Sequence, residues 1–551
     1  MDADSGARGA SGEGSAACGE ATVQGVDRLR SELGVQFAPV RRLLRILGDA
    51  SGAVTLGELV EGSGVPHRRV VEVLEGLGVA PASGAVGPLE PDARAALRSA
   101  IAVGTAPRAQ EVHMILEEMA ATRPPSVWNL DHVPATTATI LARAEYLLEH
   151  YELAGARLVM LGDHDLTGVA TALLAPRAQV TVVDIDQRLL EHLDGVSDRL
   201  GLGLRLVAAD LRLGLPASVA GSADLVFTDP PYSQEGIELF VRRGVETLGE
   251  RPGASLLFCY GVNDRSPDRL ISVQEFLTRQ HLVLEALLPG FNRYEGAHAI
   301  GSSSALWVCR PTRRTRPALQ ALARKAADPR IYSRGAASTQ SAAQSLPPPV
   351  AEALAAREGA GEWVRAQDLL EAAGESPAKR WPAELIVDLG HHFGASAGRV
   401  LMAAPGRSQV ALVGDARALA VIQGEPFRRL VTARFALEVA CPAARDGIGL
   451  LIALPVRPDA SRDAAGWVLA WLQDHLSARL RNAWREGLCA LGERQGTRCT
   501  KNEARALIEA VGMRPGELDG SLLELPAHRL RALIEGVEQT VGQLRSGKPA
   551  R

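Results

Sequence analysis

The sequence predicts an α/β fold: a multidomain chain with a Rossmann-like parallel sheet at its centre. Three observations lead there. Between residues 157 and 310, short apolar runs (157–162, 179–186, 204–210, 223–229 and 254–261) alternate with segments of helical periodicity. Strands separated by helices need crossover connections, which are right-handed and make neighbouring strands parallel. The strand ends carry glycine and aspartate, where ligands bind in such sheets. Finally, 551 residues correspond to several domains of roughly 150 residues each. The expected organisation is a disordered tail over 1–25, a winged-helix domain over 26–105, the Rossmann-like domain over 106–310, a linker over 311–350 and an α+β domain over 351–551.

The tail assignment follows from a Gly/Ala/Ser-rich opening with too little bulky apolar content to offset the entropy of ordering. In the next region the apolar positions of Val40 to Leu47 recur at helical spacing, and Thr55 with Glu58 forms a capping-box signature for a second helix ending at Gly62. Ser63-Gly64-Val65-Pro66 then turns the chain into a third helix starting at His67. This is a helix-turn-helix pattern. Arg68 and Arg69 stand where DNA-reading residues would sit, although a packing module is favoured over a nucleic-acid reader.

A net charge of −4, 46% hydrophobic and 23% charged residues describe a globular chain without a field that would hold it on nucleic acid or an anionic membrane. The six cysteines are scattered without metal or disulfide spacing, which fits a reducing cytoplasm. No apolar stretch approaches the roughly 18 residues of a membrane span, and the opening is not that of a signal peptide. No metal site is expected. The adjacent His391 and His392 lack a partner at ligand spacing.

In the C-terminal region, 399–404, 409–414, 418–422 and 449–456 read as strands, and Gly414-Asp415 as a turn. Trp467, Trp471, Leu472, Leu476, Leu480 and Trp484 form an apolar helical stripe that belongs to a core.

Four strand ends carry the chemistry. The first runs into Gly162-Asp163-His164-Asp165-Leu166-Thr167-Gly168, where Gly162 permits close backbone approach and the following helix start offers N–H groups. The second ends at Asp184-Ile185-Asp186, a carboxylate position suited to ribose hydroxyls. Asp210 closes the third, placed for an adenine amine, and the fourth gives Thr228-Asp229-Pro230-Pro231-Tyr232. With no G-x-G-x-x-G fingerprint there is no pyrophosphate cradle, so the layout is that of an S-adenosylmethionine-type sheet and not of a dinucleotide enzyme. Any one of these aspartates taken alone reads better as a cap of the next helix, whereas four in register favour a ligand site.

These motifs, in this order, resemble the branched-chain polyamine synthases, the bis(aminopropyl)spermidine synthases. The resemblance spans roughly residues 35 to 310 and takes in Asp131-His132 upstream and Phe291-Asn292-Arg293-Tyr294 downstream. It implies a winged helix joined to a Rossmann-like aminopropyltransferase domain, a homodimer, and decarboxylated S-adenosylmethionine as donor to an internal amine of a polyamine such as spermidine. It further implies Asp163 and Asp165 in the catalytic group, with Asp163 taking or orienting the amine proton; His164 between them is a further candidate base, with an ion-paired structural residue as the open alternative. Gly162, Asp184, Asp186, Asp210 and Asp229 would hold the donor. Asp131, His132, Asp229, Tyr232, Asn292 and Tyr294 would hold the acceptor.

Three positions depart from the family pattern. His164 stands where Asp is usual, Tyr232 where an acidic residue is usual, and His132 where Gln is usual. Two other readings therefore stay open. Asp-Pro-Pro-Tyr is also the motif of S-adenosylmethionine-dependent amino-methyltransferases, in which the aromatic ring stacks on a flat base. A winged-helix sensor of a polyamine or adenosyl ligand is the non-enzymatic reading.

Overall fold

The computed structural model describes residues 10–102, 109–261, 267–296, 298, 301–323, 330–332, 346–357, 361–374, 381–390, 394–444, 447–459 and 461–546. A helix over Ala10–Leu33 opens it. This corrects the expected tail: residues 10–25 are helical, and Val26 and Leu29 of the same helix are buried in the N-terminal core, which offsets the poor propensity of the glycines before them. Helices Phe37–Asp49, Leu56–Ser63 and His67–Gly76 follow. β1 (Val54–Thr55), which precedes the second of these, pairs antiparallel with β2 (Ala85–Val86), which follows the third. The Thr55/Glu58 capping box forms in both directions, and Gly64, at φ +72°, ends that helix in a left-handed turn. Arg68 and Arg69 both pair with Glu72 on their own helix.

The central sheet contains β3 (Arg157–Leu161), β4 (Gln179–Asp184), β5 (Arg205–Ala208), β6 (Leu225–Thr228), β7 (Ser255–Tyr260), β8 (Leu282–Arg293) and β9 (Ser303–Pro311). Its order is β5-β4-β3-β6-β7-β9-β8, with the five expected strands parallel and β9 antiparallel to β7 and β8. The chain winds outward from β3 to β5, then returns to β6 on the other side of β3. This topological switch opens a crevice at the carboxyl ends of β3 and β6. Helices 109–122, 137–150, 167–174 and 187–200 cover one face through Leu116, Ile140, Leu147, Val169 and Leu193. Helices 234–247, 267–279 and 315–323 cover the other through Ile237, Val241, Phe276 and Leu319. The expected linker therefore begins later than 311: β9 ends at Pro311 and helix Thr315–Ala323 packs on the sheet.

The C-terminal sheet runs β10-β11-β12-β14-β13, made of β10 (Glu362–Val364), β11 (Glu384–Gly390), β12 (Gln409–Asp415), β13 (Phe435–Cys441) and β14 (Ile448–Pro455). The first three are parallel; β14 runs antiparallel to both neighbours. Residues 409–414 and 449–456 match the expected strands, whereas 399–404 and 418–422 fall within or overlap the helices Ala397–Ala403 and Ala416–Gln423. A short apolar run has no periodicity with which to choose between strand and helix. The deciding signal at the second is Asp415, whose carboxylate accepts the Ala418 N–H at 2.7 Å and so caps a helix where a hairpin turn was expected. The tryptophan stripe spans two helices, Ala464–Asp474 and Leu480–Gln495, with Trp484 fully buried. His391 and His392 lie outside the described residues.

Candidate active site

The crevice holds a cavity of about 300 Å³ lined by Asp131, His132, Gly162, Asp163, His164, Asp165, Asp184, Asp210, Asp229, Tyr232 and Tyr294 among others. Gly162, at φ +73°, turns the backbone sharply off β3 while its N–H bonds the Val183 carbonyl at 2.9 Å. The Asp163 carboxylate then folds back over the helix start and accepts the Gly168 N–H at 2.9 Å. A Cβ at Gly168 would stand 2.7 Å from that carboxylate oxygen, so only glycine fits. Leu166, buried and at φ +65°, is a strained bulky residue at this same turn.

Burial raises the Asp163 pKa well above the ordinary carboxylate range, with Asp165 and Asp184 adding repulsion against the Gly168 hydrogen bond. Such a carboxyl is a stronger base than an exposed one. Asp184 accepts the N–H of Asp163 at 3.2 Å and of Asp186 at 2.8 Å, and burial pushes its pKa up to about 6.

A fully buried arginine organises the other half. Arg143, from helix Thr137–His150, bonds Asp165 at 2.9 Å, Asp229 at 2.7 Å and the Asn292 side-chain oxygen at 2.8 Å. Asp165 also accepts the Ala135 N–H at 2.8 Å. Tyr294 donates to Asp229 at 2.8 Å, and its hydroxyl lies 2.8 Å from that of Tyr232. Burial raises the Asp229 pKa while Arg143 opposes the rise.

His132 and His164 face each other with ring centroids 4.2 Å apart. Burial lowers both: His132 to about 4, and His164 below its ordinary 6.5. Both are therefore uncharged at neutral pH. The His164 Nε2 lies 3.3 Å from the Pro124 carbonyl, which assigns the proton to Nε2 and leaves Nδ1 as an acceptor without a hydrogen-bond partner among the described residues.

Two expected residues stand elsewhere. Asp186 caps helix Gln187–Leu200 and pairs with Arg188, off the cavity wall, because its carboxylate follows the chain into the helix start. Asn292 is fully buried behind Arg143 and Ser304, so it shapes the site without lining it. The third-strand carboxylate, Asp210, lines the cavity but is gripped by its own neighbour: Arg212 Nε and Nη2 bond its two oxygens at 2.8 and 2.6 Å. Sequence reasoning missed Arg143, Arg212 and the cavity-lining Ile331 and Tyr332 from the expected linker. For Arg143 a signal existed: it occupies the apolar stripe of Ile140, Ala144 and Leu147.

This topology and crevice define a Rossmann-like domain of methyltransferase type. Residues 111–323 match the family model of the branched-chain polyamine synthase A C-terminal domain. A protein of Methanocaldococcus jannaschii without assigned function is 35% identical over 34% of this chain and 46% of its own length. N(4)-bis(aminopropyl)spermidine synthases of Thermococcus kodakarensis and Thermus thermophilus are each 31% identical, over 32% and 35% of this chain and 51% and 56% of theirs. The chain thus spans about half the length of the curated relatives it matches. The solved branched-chain polyamine synthase of Thermus thermophilus, in complex with N4-aminopropylspermidine and 5'-methylthioadenosine, aligns at 27% identity over 54% of this chain and 94% of that one, TM-score 0.34. Residues 111–323 are thus similar to the branched-chain polyamine synthases.

Proposed function

We propose that this protein transfers an aminopropyl group from decarboxylated S-adenosylmethionine to an amine of a polyamine such as spermidine, releasing methylthioadenosine. The observation that carries this is the convergence of five carboxylates, Asp163, Asp165, Asp184, Asp210 and Asp229, on the lining of one cavity. The names of the curated relatives agree.

The reaction is an in-line attack by an amine nitrogen on the carbon next to a sulfonium. Both reactants are cationic, so carboxylates lower the cost of bringing them together, and the attacking nitrogen must be held unprotonated. In this reading Asp163 accepts the amine proton, its raised pKa matching that task. Asp229 and Asp165, fixed in direction by Arg143, orient the cationic ends of the acceptor, with Tyr232 and Tyr294 holding Asp229. Asp131 and His132 face the acceptor beside His164. Gly162 and Asp184 hold the ribose, and Asp210 faces the adenine.

The N-terminal helices with the β1/β2 ribbon fit a winged helix, and the C-terminal region an α+β domain. With Arg68 and Arg69 paired to Glu72, the N-terminal module is read as a packing and homodimer element, not a DNA reader. No helix among the described residues is long and apolar enough to cross a membrane, and a cytoplasmic location is part of this proposal. The test is product analysis with both donors: methylthioadenosine together with an acceptor heavier by an aminopropyl group supports the reading, and adenosylhomocysteine contradicts it.

A further inference from the structure

The C-terminal domain lies beyond the 111–323 family match, yet it contacts the segments after β4 and β5 that line the cavity. The turn after β5 carries Asp210, Leu211 and Arg212, all cavity-lining, and closes with the Leu213 N–H on the Asp210 carbonyl at 2.9 Å. Leu213 is then buried in the C-terminal core, in one cluster with Val400, Leu401, Leu522 and Leu525. Ser396 of that domain approaches the Asp210 carboxylate at 3.5 Å.

A second grip holds the loop after β4. The Gln187 side-chain oxygen accepts the Ala527 N–H at 2.8 Å and faces Arg399 at 3.4 Å, while its amide nitrogen donates to the cavity-lining Ile185 carbonyl at 3.2 Å. Arg399 is itself buried and fixed by the carbonyls of Leu523 and Leu525 at 3.0 and 2.6 Å. Around these grips Asp194 meets His528 and Arg529 at 2.8 Å each, and Arg205 meets Glu524 at 3.2 Å. The segments that follow β4 and β5 in the central domain are thus each tied to the C-terminal domain.

We infer that the C-terminal domain is the positioning element of the donor half-site, with Leu213, Ser396 and Gln187 holding the Asp210–Arg212 turn and the Ile185 wall in the geometry that receives the adenosyl group. This rests on the donor assignment proposed above. A loop anchored before the ligand arrives does not have to be ordered by it, so loss of the anchor appears as weaker donor binding. It leaves Asp165 and Asp229, which Arg143 holds, in place.

The test is titration calorimetry of the full chain with 5'-methylthioadenosine and, in parallel, with S-adenosylhomocysteine. Leu213→Ala and Gln187→Ala each weaken nucleoside binding about tenfold, Leu213→Met restores it, and the melting temperature of Gln187→Ala stays at the wild-type value. In turnover the KM for the donor rises, with kcat and the acceptor KM unchanged. If the wild type binds a nucleoside and both alanine variants bind it equally well, the inference is overturned while the proposed function stands. Wild-type binding of S-adenosylhomocysteine alone contradicts the proposed function but still reads the anchor on that ligand. A wild type that binds neither overturns both.

Discussion

Arg143 and Asp229 meet at 2.7 Å with the arginine wholly removed from solvent, and the same guanidinium reaches Asp165 at 2.9 Å. Two carboxylates from different strand ends are thereby locked to one cation on a third element. Arg143 opposes the rise that burial imposes on the Asp229 pKa, so without it Asp229 would be pushed further toward its neutral form.

Removing the cation should therefore damage folding and function together. Arg143→Ala leaves two buried carboxylates without their partner and should cost about 3–5 kcal/mol, read from denaturant midpoints. Arg143→Lys should also fail to restore activity, since a point charge cannot serve Asp165, Asp229 and Asn292 in the fork geometry.

Asp163→Asn keeps the size of the side chain and an oxygen that can receive the Gly168 N–H. Transfer should fall by about 10²–10⁴-fold, as for loss of a general base, with affinity for methylthioadenosine nearly unchanged. Equal loss of both would sink the assignment of Asp163 to the acceptor side.

The pH dependence of donor binding follows from Asp184. Its folded pKa of about 6 lies above the ordinary 3.8, so in the free protein the carboxylate that would accept ribose hydroxyls is lost as pH falls through 6. Nucleoside affinity should decline below that point. Asp184→Asn should be weaker at neutral pH and flat across the same window.

His132 contributes stability in the opposite sense to Asp184. Its folded pKa, about 4, is depressed from 6.5, so the unfolded chain takes up the proton first and stability is lost as pH falls from 6.5 toward 4. Between pH 7 and 5 this loss is about 2 kcal/mol. His132→Gln should remove it, leaving a shallower fall in urea midpoint over that interval.

The uncharged His164 stands where an acidic side chain would add attraction for a polycation. His164→Asp should lower the KM for a tricationic acceptor more than for a dicationic one, and the gap should narrow with added salt. Equal KM values for both acceptors would remove the specificity role.

The legible part of this molecule was the part built from local rules. The parallel strands and their aspartates could be placed because apolar runs and acidic strand ends sit next to each other in sequence. Asp186 went astray because an Asp at a helix start serves a cap and a ligand equally well, and only the side-chain direction separates the two. The strands β8 and β9 escaped notice because β8 is an edge strand, with Val283, Leu284 and Leu287 exposed and register shifts along its length. Long-range partners left no local trace: nothing near Leu213 in sequence announces that its core lies some two hundred residues further on, and Tyr332 was hidden in a stretch that reads as linker.

The most direct test of the central claim is mass spectrometry of the purified protein with spermidine, supplied in parallel with decarboxylated S-adenosylmethionine and with S-adenosylmethionine. The account predicts methylthioadenosine and an acceptor heavier by one aminopropyl group from the decarboxylated donor alone. Adenosylhomocysteine from S-adenosylmethionine, or no product from either donor, would contradict it.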